Sequence, residues 1–307
     1  VAEPRMLLLD TASLYFRAYF GVPDIKAEDG TPVNAVRGLL EFISRLVNDY
    51  SPTDLVCCWD NDWRPQWRVD LIPSYKAHRV VVERETAPDV EEVPDPLEVQ
   101  VPIIREVLAA AGICVIGADG YEADDVIGTL ATNAGMPVDV VTGDRDLFQL
   151  VDDAAGVRIL YPTRGVGDPD LVDEKWVLAK YGITAAQYAD FATMRGDTSD
   201  GLPGVKGVGE KTAAKLLEQY GDLEGIVAAV ADPTTSLTKA QRQKFIDAVD
   251  YLAVAPQVVA VARDLPLDRT RTALPSAPAD PERLHELAAT YNLASPVARL
   301  EAALARV

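Results

Sequence analysis

Histidine and cysteine are nearly absent from this chain. Two histidines in 307 residues, His78 and His285, argue against a His-rich zinc site and against a Ser-His-Asp triad. Of three cysteines, Cys57 and Cys58 adjoin within an apolar run and Cys114 stands alone, so there is no CxxC metal or redox spacing and no disulfide framework. No apolar run reaches the length of about eighteen residues that a membrane helix needs. Val1 to Met6 leads into a strand-like run without a signal-peptide pattern. These absences make a cytoplasmic protein without membrane contact the expectation. Basic residues are also in deficit: 29 Lys plus Arg face 48 Asp plus Glu, a formal charge of −19. Spread evenly, such a charge would oppose binding to the dense negative charge of duplex DNA. Clustered, the same acids could hold cations.

With 48% hydrophobic and 25% charged residues the composition is globular, and the length allows one large domain or two modest ones. Up to about residue 165, short apolar runs alternate with helical patterns. Strands are expected at Met6–Leu9, Leu55–Trp59, Ile113–Ile116, Val138–Val141 and Val157–Tyr161, and helices at Asn34–Val47, Leu97–Ala111 and Asp124–Ala131. This predicts an α/β fold with a mostly parallel sheet flanked by helices. From about Pro169 the strand signal stops and helices are expected at Leu171–Tyr181, Ala185–Met194, Lys211–Tyr220, Leu223–Val230 and Lys239–Val249. Four prolines between Leu265 and Pro281 suggest a loose linker, followed by short helices at Glu282–Tyr291 and Val297–Ala305. An unusually long connection, residues 61–96, carries a net +3 over Arg64–Arg84 and a net −5 over Asp89–Glu98.

Three expected strands end in aspartate: Asp10, Asp60 and, two residues past Val-Val-Thr, Asp144. In a parallel sheet they emerge at one edge, where open α/β sheets bind ligands. Asp146, Glu122, Asp124 and Asp125 belong to the same edge. Any one of these could be an ordinary helix cap. Six or seven together are not explained by capping, because like charges about 4 Å apart repel by about 4 kcal/mol at an effective dielectric near 20. All-oxygen ligands favour Mg²⁺ or Mn²⁺, and paired ions suit phosphodiester hydrolysis. A metal-dependent nuclease is therefore the leading expectation from the residues.

The densest signal is Gly196–Ala213. Gly204-x4-Gly209 approaches a P-loop, but Glu210 stands where Lys should follow and no strand precedes it. A glycine hairpin between two helices is the better reading. Gly204, Gly207 and Gly209 let backbone approach phosphate, helped by Thr212 at the next helix start and by Lys206, Lys211 and Lys215.

With these motifs in place, the chain from about Met6 to Val254 resembles the flap endonuclease and 5′-exonuclease family, including the 5′ nuclease domain of bacterial DNA polymerase I. The resemblance rests on Leu-Asp10 through Arg17, Trp-Asp60, Trp67-Arg68, Tyr75-Lys76-x-x-Arg79, Glu122-Ala-Asp124-Asp125, Thr-Gly-Asp144-Arg-Asp146, Gly-Asp197-Thr-Ser-Asp200 and Gly207-Val-Gly209-Glu-Lys211-Thr212. It implies a PIN-like core over residues 5–183 with a helical arch at about 61–96. It further implies a helix–hairpin–helix-type DNA-binding region at 184–275, before a C-terminal stretch at 276–307. It adds Asp197 and Asp200, which the sheet-edge argument does not place, to make nine carboxylates for two or three divalent ions. It also implies DNA contacts by Arg17, Arg68, Tyr75, Lys76 and Arg79, with Lys76 and Arg79 serving the reaction. A K⁺ ion at the hairpin, a DNA polymerase or ligase partner and a monomeric state complete the expectations. Two rivals are a PIN-type ribonuclease, which would not need the hairpin, and a non-enzymatic DNA-junction binder.

Overall fold

The computed structural model describes residues 3–84 and 87–306. Its main sheet contains β1 (Met6–Asp10), β2 (Asp54–Trp59), β5 (Cys114–Gly117), β6 (Val138–Val141), β7 (Val157–Tyr161) and β8 (Asp170–Val172). A separate small hairpin pairs β3 (Val80–Val82) with β4 (Val90–Glu91). Strand order in the main sheet is β5-β2-β1-β6-β7-β8, all parallel except the edge strand β8.

Side chains one residue apart on these strands face opposite layers, and both layers are apolar. Leu8, Val56, Cys58, Val140 and Ile159 pack with helix Ala123–Ala131 and the helical extension. Leu7, Leu9, Leu55, Cys57 and Leu160 pack with helices Asn34–Tyr50 and Gln100–Ala111. Helix Asn34–Tyr50 meets this second layer because Val36, Leu39, Leu40, Ile43 and Val47 recur at helical spacing, and Ser51 in the left-handed region ends it.

The chain runs from β1 outward to β2 and β5, then returns to the far side of β1 for β6 and β7. The switch point therefore lies between β1 and β6, and the crevice beyond their C-terminal ends is the natural ligand position.

Four expectations need correction. The segment Leu171–Tyr181 begins as strand β8, and helix begins only at Glu174, capped by Asp173. Helices Thr11–Gly21 and Val249–Val259 lie outside the expected set. Among its described residues the arch at 61–96 is mostly not helical: it holds a six-residue helix, Gln66–Leu71, the short 3-10 turn Ala77–Arg79, the β3–β4 hairpin and the start of the four-residue helix Asp95–Glu98. Three consecutive valines favour strand, and Pro88 and Pro94 interrupt any long helix. Finally, the stretch after Leu265 is pinned. Leu55 donates to the Thr272 carbonyl and Leu274 to that of Thr53, both at 2.9 Å. Helices Pro281–Thr290 and Ala294–Leu304 then fold back onto the second layer through Leu284, Leu287, Val297 and Leu300. Among the described residues no helix is long and apolar enough to cross a membrane.

Leu300 is fully buried between these terminal helices and helix Asn34–Tyr50. Leu300→Ala should lower the unfolding free energy by about 2–5 kcal/mol. Urea denaturation measures this, and a loss under about 1 kcal/mol would mean that the terminal helices are not part of the core.

Candidate active site

At the switch point the backbone itself gathers the acids. Asp10 is the last residue of β1 and caps helix Thr11–Gly21, accepting from Ser13 N at 3.2 Å and from Thr142 Oγ at 2.7 Å. That second bond joins the end of β1 to the end of β6. Asp60, just past β2, accepts from Ala123 N at 2.7 Å and so binds the start of the neighbouring helix. Glu122 and Asp125 form that helix's capping box. Asp144 accepts from Asp146 N at 2.8 Å in a tight turn after β6.

One cavity of about 180 Å³ is lined by Asp10, Asp60, Glu122, Asp124 and Asp144, with Lys76 and Arg79 at its side. A smaller one behind it shares Glu122 and Asp124 and adds Asp146 and Asp200. The two together touch seven of the nine expected carboxylates. Asp197 caps the turn Thr198–Asp200 by accepting from Ser199 N at 2.8 Å, and Arg195 and Arg145 lie near it.

The charges in this basin are under strain. Burial, then the neighbouring Asp60, pushes the Asp10 carboxyl up to about 7. Desolvation followed by Asp144 and Asp10 holds Asp124 well above the usual range, and desolvation followed by Asp144 and Asp200 does the same to Asp146. Asp144 is also raised, by desolvation and then Asp200. Asp197 moves the other way: burial opposes it, but hydrogen bonds from Ser199 outweigh that cost.

Among the described residues no three acidic, histidine or cysteine side chains form a closed metal cage. The donor set nevertheless fits a hard cation. Its donors are all carboxylate oxygens, burial and then mutual repulsion push Asp10, Asp124, Asp144 and Asp146 upward, and Asp146 Oδ1 is buried without a hydrogen-bond partner.

Two expected DNA-contacting residues are elsewhere. Arg68 is 1% exposed, with Nη1 and Nη2 on the two oxygens of Asp125 at 2.7 and 2.8 Å, Nη1 also on Glu122 at 2.8 Å, and Nε on the Val258 carbonyl at 3.1 Å. Tyr75 is buried and donates its hydroxyl to Glu122 at 2.8 Å. Neither is at the surface, because Glu122 and Asp125, at the start of helix Ala123–Ala131, draw them inward. The same contacts occupy Asp125: both its oxygens serve Arg68, Oδ1 also accepts from Ala262 N, and it lines neither cavity.

Lys76 reaches the cavity with its ammonium on Glu122, from a left-handed backbone conformation. Arg79 pairs with Asp200 at 2.9 Å. Arg17 lies on helix Thr11–Gly21, near Gly143 beyond β6.

In the helical extension, Gly204 and Gly207 have positive φ. A side chain at Gly204 would collide with the backbone of Gly196 at 2.6 Å. Gly209 caps helix Glu210–Tyr220, whose first turn carries Lys211 and Thr212. Lys206, Lys211 and Lys215 are exposed on this face. Sequence reasoning missed Lys244, which donates to the Gly207 carbonyl at 2.9 Å, and Arg195. Lys244 sits 37 residues from the hairpin, so no local motif marks it.

A parallel sheet with carboxylates gathered at its switch point, joined to a helical unit presenting a lysine-bearing glycine hairpin, is the layout of a nuclease. Residues 5–182 match the model of the 5′-3′ exonuclease N-terminal resolvase-like domain, and residues 183–282 that of the 5′-3′ exonuclease C-terminal SAM fold. The chain is 64% identical to a 5′-3′ exonuclease of Streptomyces coelicolor, over 96% of this chain and 98% of that one. It is 51% identical to one of Mycobacterium tuberculosis, over 97% of each. A DNA polymerase I of Mycobacterium bovis is 40% identical over 93% of this chain but only 30% of its own length. The fold is shared with a bacteriophage T5 flap endonuclease variant solved as a pseudo-enzyme-product complex with DNA and metal ions (TM-score 0.63, 15% identity, 98% of each chain). It is shared as well with the catalytic core of Rad2 in complex with DNA substrate (TM-score 0.60, 18% identity, 98% of this chain and 91% of that one). The chain belongs to the 5′-3′ exonuclease family, and it is a nuclease.

Two outcomes follow. Arg68→Ala leaves Asp125 buried and unpaired and should cost about 3–5 kcal/mol of stability in urea denaturation. DNA affinity of the folded variant should keep its salt dependence, whereas loss of a phosphate contact would lower the salt slope by about one. Separately, the native state holds a proton on Asp10 between its ordinary value of 3.8 and about 7 that the unfolded chain has released. Metal-free protein should therefore lose stability as pH rises from about 4 towards 7, by linkage. Melting temperatures in EDTA test this, and an Asp10→Asn variant with an equally steep fall would show that another group titrates.

Proposed function

We propose that this nuclease cuts 5′ flaps endonucleolytically and removes 5′ nucleotides exonucleolytically, giving 5′-phosphate and 3′-hydroxyl ends on DNA during replication and repair. The observation that carries this reading is the pair of adjoining cavities, where Asp10, Asp60, Glu122, Asp124 and Asp144 meet Asp146 and Asp200 beside Lys76 and Arg79. Asp124, Asp144 and Asp146 would hold one divalent ion, Mg²⁺ or Mn²⁺, and Asp197 with Asp200 a second nearer the DNA. Asp10, Asp60 and Glu122 act around them, directly or through ordered water. Bound there, such ions supply an activated water and stabilise the leaving oxygen. That the bacteriophage T5 complex was solved with metal ions supports a metal-dependent reading.

The chain's own residues do the positioning. Lys76 and Arg79 offer positive charge at the cavity to a scissile phosphate, once it draws them from Glu122 and Asp200. Gly204, Gly207 and Gly209 with Lys206, Lys211, Thr212 and Lys215 grip the duplex backbone, and Arg17 extends the contact from the nuclease side. Lys244 already places an ammonium on the Gly207 carbonyl, so charge at the hairpin comes at least in part from the protein; a K⁺ ion would add to it. A DNA polymerase is the partner proposed, because this chain matches 30% of the length of a DNA polymerase I. A ligase would seal the product, and the enzyme would work in the cytoplasm as a monomer.

Asp124→Ala should reduce cleavage of a labelled 5′-flap DNA by about 10³-fold or more in Mg²⁺ or Mn²⁺. Flap binding in EDTA should stay within about threefold. Wild-type cleavage rates would sink the ion assignment. Preferential cutting of a matched RNA hairpin would favour a ribonuclease, and binding without cleavage after Mn²⁺ addition a junction-binding module.

A further inference from the structure

Among the described residues four buried side-chain polar atoms lack a hydrogen-bond partner: Asp146 Oδ1, Tyr188 OH, and Nη1 and Nη2 of Arg195. They mark one place, where the turn after β6 meets helix Tyr188–Arg195 of the extension. The Arg195 side chain is only 10% exposed. Its Nη2 lies 3.7 Å from Asp146 Oδ1 and 3.9 Å from Asp197 Oδ2, and its Nη1 lies 3.6 Å from Glu210. Nε bonds the Gly196 carbonyl at 3.2 Å, and the guanidinium stacks 5.4 Å from the Phe191 ring. The Tyr188 hydroxyl faces it without a well-formed bond.

This is an unusual environment for arginine. A buried guanidinium normally makes forked, bidentate bonds, as Arg68 does to Asp125 in the same molecule. Arg195 is held by stacking and by one backbone bond, close enough to two basin carboxylates to neutralise them but docked on neither. Its charge cannot be titrated away at any ordinary pH.

We propose that Arg195 is the resident counter-charge of the Asp146–Asp197 side of the basin and competes there with the ion assigned above to Asp197 and Asp200, which makes that ion the weaker of the two. The inference rests on the ion assignment proposed above for these carboxylates. A guanidinium and an ion that share the Asp197 carboxylate weaken each other reciprocally, and each excludes part of the other's attraction. Arg195 keeps the metal-free basin folded at the expense of ion affinity. It also joins the basin to Glu210 at the start of the hairpin helix, so the affected ion is the one nearest the DNA-binding unit.

The test is Mn²⁺ binding to DNA-free, full-length protein, followed by the electron paramagnetic resonance signal of free Mn²⁺. Arg195→Met should tighten the weaker Mn²⁺ site by about tenfold or more, and Arg195→Lys, which keeps the charge, should stay within about threefold of wild type. In EDTA the methionine variant should melt below wild type, with the gap closing as Mn²⁺ is added. If it does not fold in EDTA, Arg195→Gln carries the same comparison with a polar group in place. A lowered melting temperature with unchanged or weaker Mn²⁺ binding would overturn the proposal and leave Arg195 a structural strut. Wild-type protein that binds no Mn²⁺ would instead overturn the ion assignment beneath it.

Discussion

Carboxylates crowded at one sheet edge repel each other, and much of the surrounding structure answers that repulsion. At about 4 Å and an effective dielectric near 20, each close pair costs about 4 kcal/mol, comparable to much of a domain's net stability. Each acid is met differently. Asp10 and Asp144 take backbone amides and Thr142, and Asp60 takes the start of the next helix. Glu122 takes Arg68, Tyr75 and Lys76, and Asp200 takes Arg79. Least is left for Asp124, and Asp146 has only the undocked Arg195 at 3.7 Å; those two stand well above the usual carboxylate range. The unanswered charge therefore sits at the centre of the basin, where a cation has most to gain.

Arg68 is the firmest of these answers, and its value is placement more than stability. A buried ion pair gives back little more than its desolvation cost. What the guanidinium does is hold three parts of the chain at once: the segment after β2, the capping box of helix Ala123–Ala131, and the end of helix Val249–Val259 through the Val258 carbonyl. The extension carries Asp197 and Asp200, while the sheet carries the other acids. A rigid tie between the two keeps both halves of the basin in register, and Gly201, which tolerates no side chain against the Ser74 carbonyl, closes the same junction from the other side.

The five parallel strands are legible in the sequence because both faces pack against apolar layers, fully in β1 and β6 and partly in the edge strand β5, which writes them mainly as runs of Leu, Val, Ile and Cys. The three aspartates that end strands are legible for the same reason. Strand β8 is not: three residues at a sheet edge, leading directly into helix Glu174–Tyr181, share that helix's apolar spacing. Asp197 and Asp200 are legible only through a family motif, since nothing local says that a turn in the helical region faces the sheet edge. Arg68 and Tyr75 mislead because a basic or phenolic side chain carries no local sign of its partner. The acids that pull them inward lie 47 to 57 residues along the chain. Lys244 escapes for the same reason, and so does the approach of Arg195 to Asp146, although Arg195 also touches its near neighbours Phe191, Gly196 and Asp197.

The acidic total and a DNA ligand are reconciled by where the charges point. Asp10, Glu122 and Asp125 are buried, and Asp60, Asp124, Asp144, Asp146, Asp197 and Asp200 are half-buried in or beside the crevice. Lys206, Lys211 and Lys215 stand exposed on the hairpin face. At physiological salt a charge is felt over only about 8 Å, so a phosphate at the hairpin responds to the lysines beside it and not to the sum over the chain. A phosphate entering the crevice meets the basin itself, with Lys76 and Arg79 as the only basic side chains lining the larger cavity. Both are already paired with acids of the site. Binding the duplex and admitting the scissile phosphate are thus separate electrostatic problems. In the function proposed, the exposed hairpin lysines address the first. The second needs cations among the carboxylates, which the net charge of −19 supplies with ligands instead of opposing.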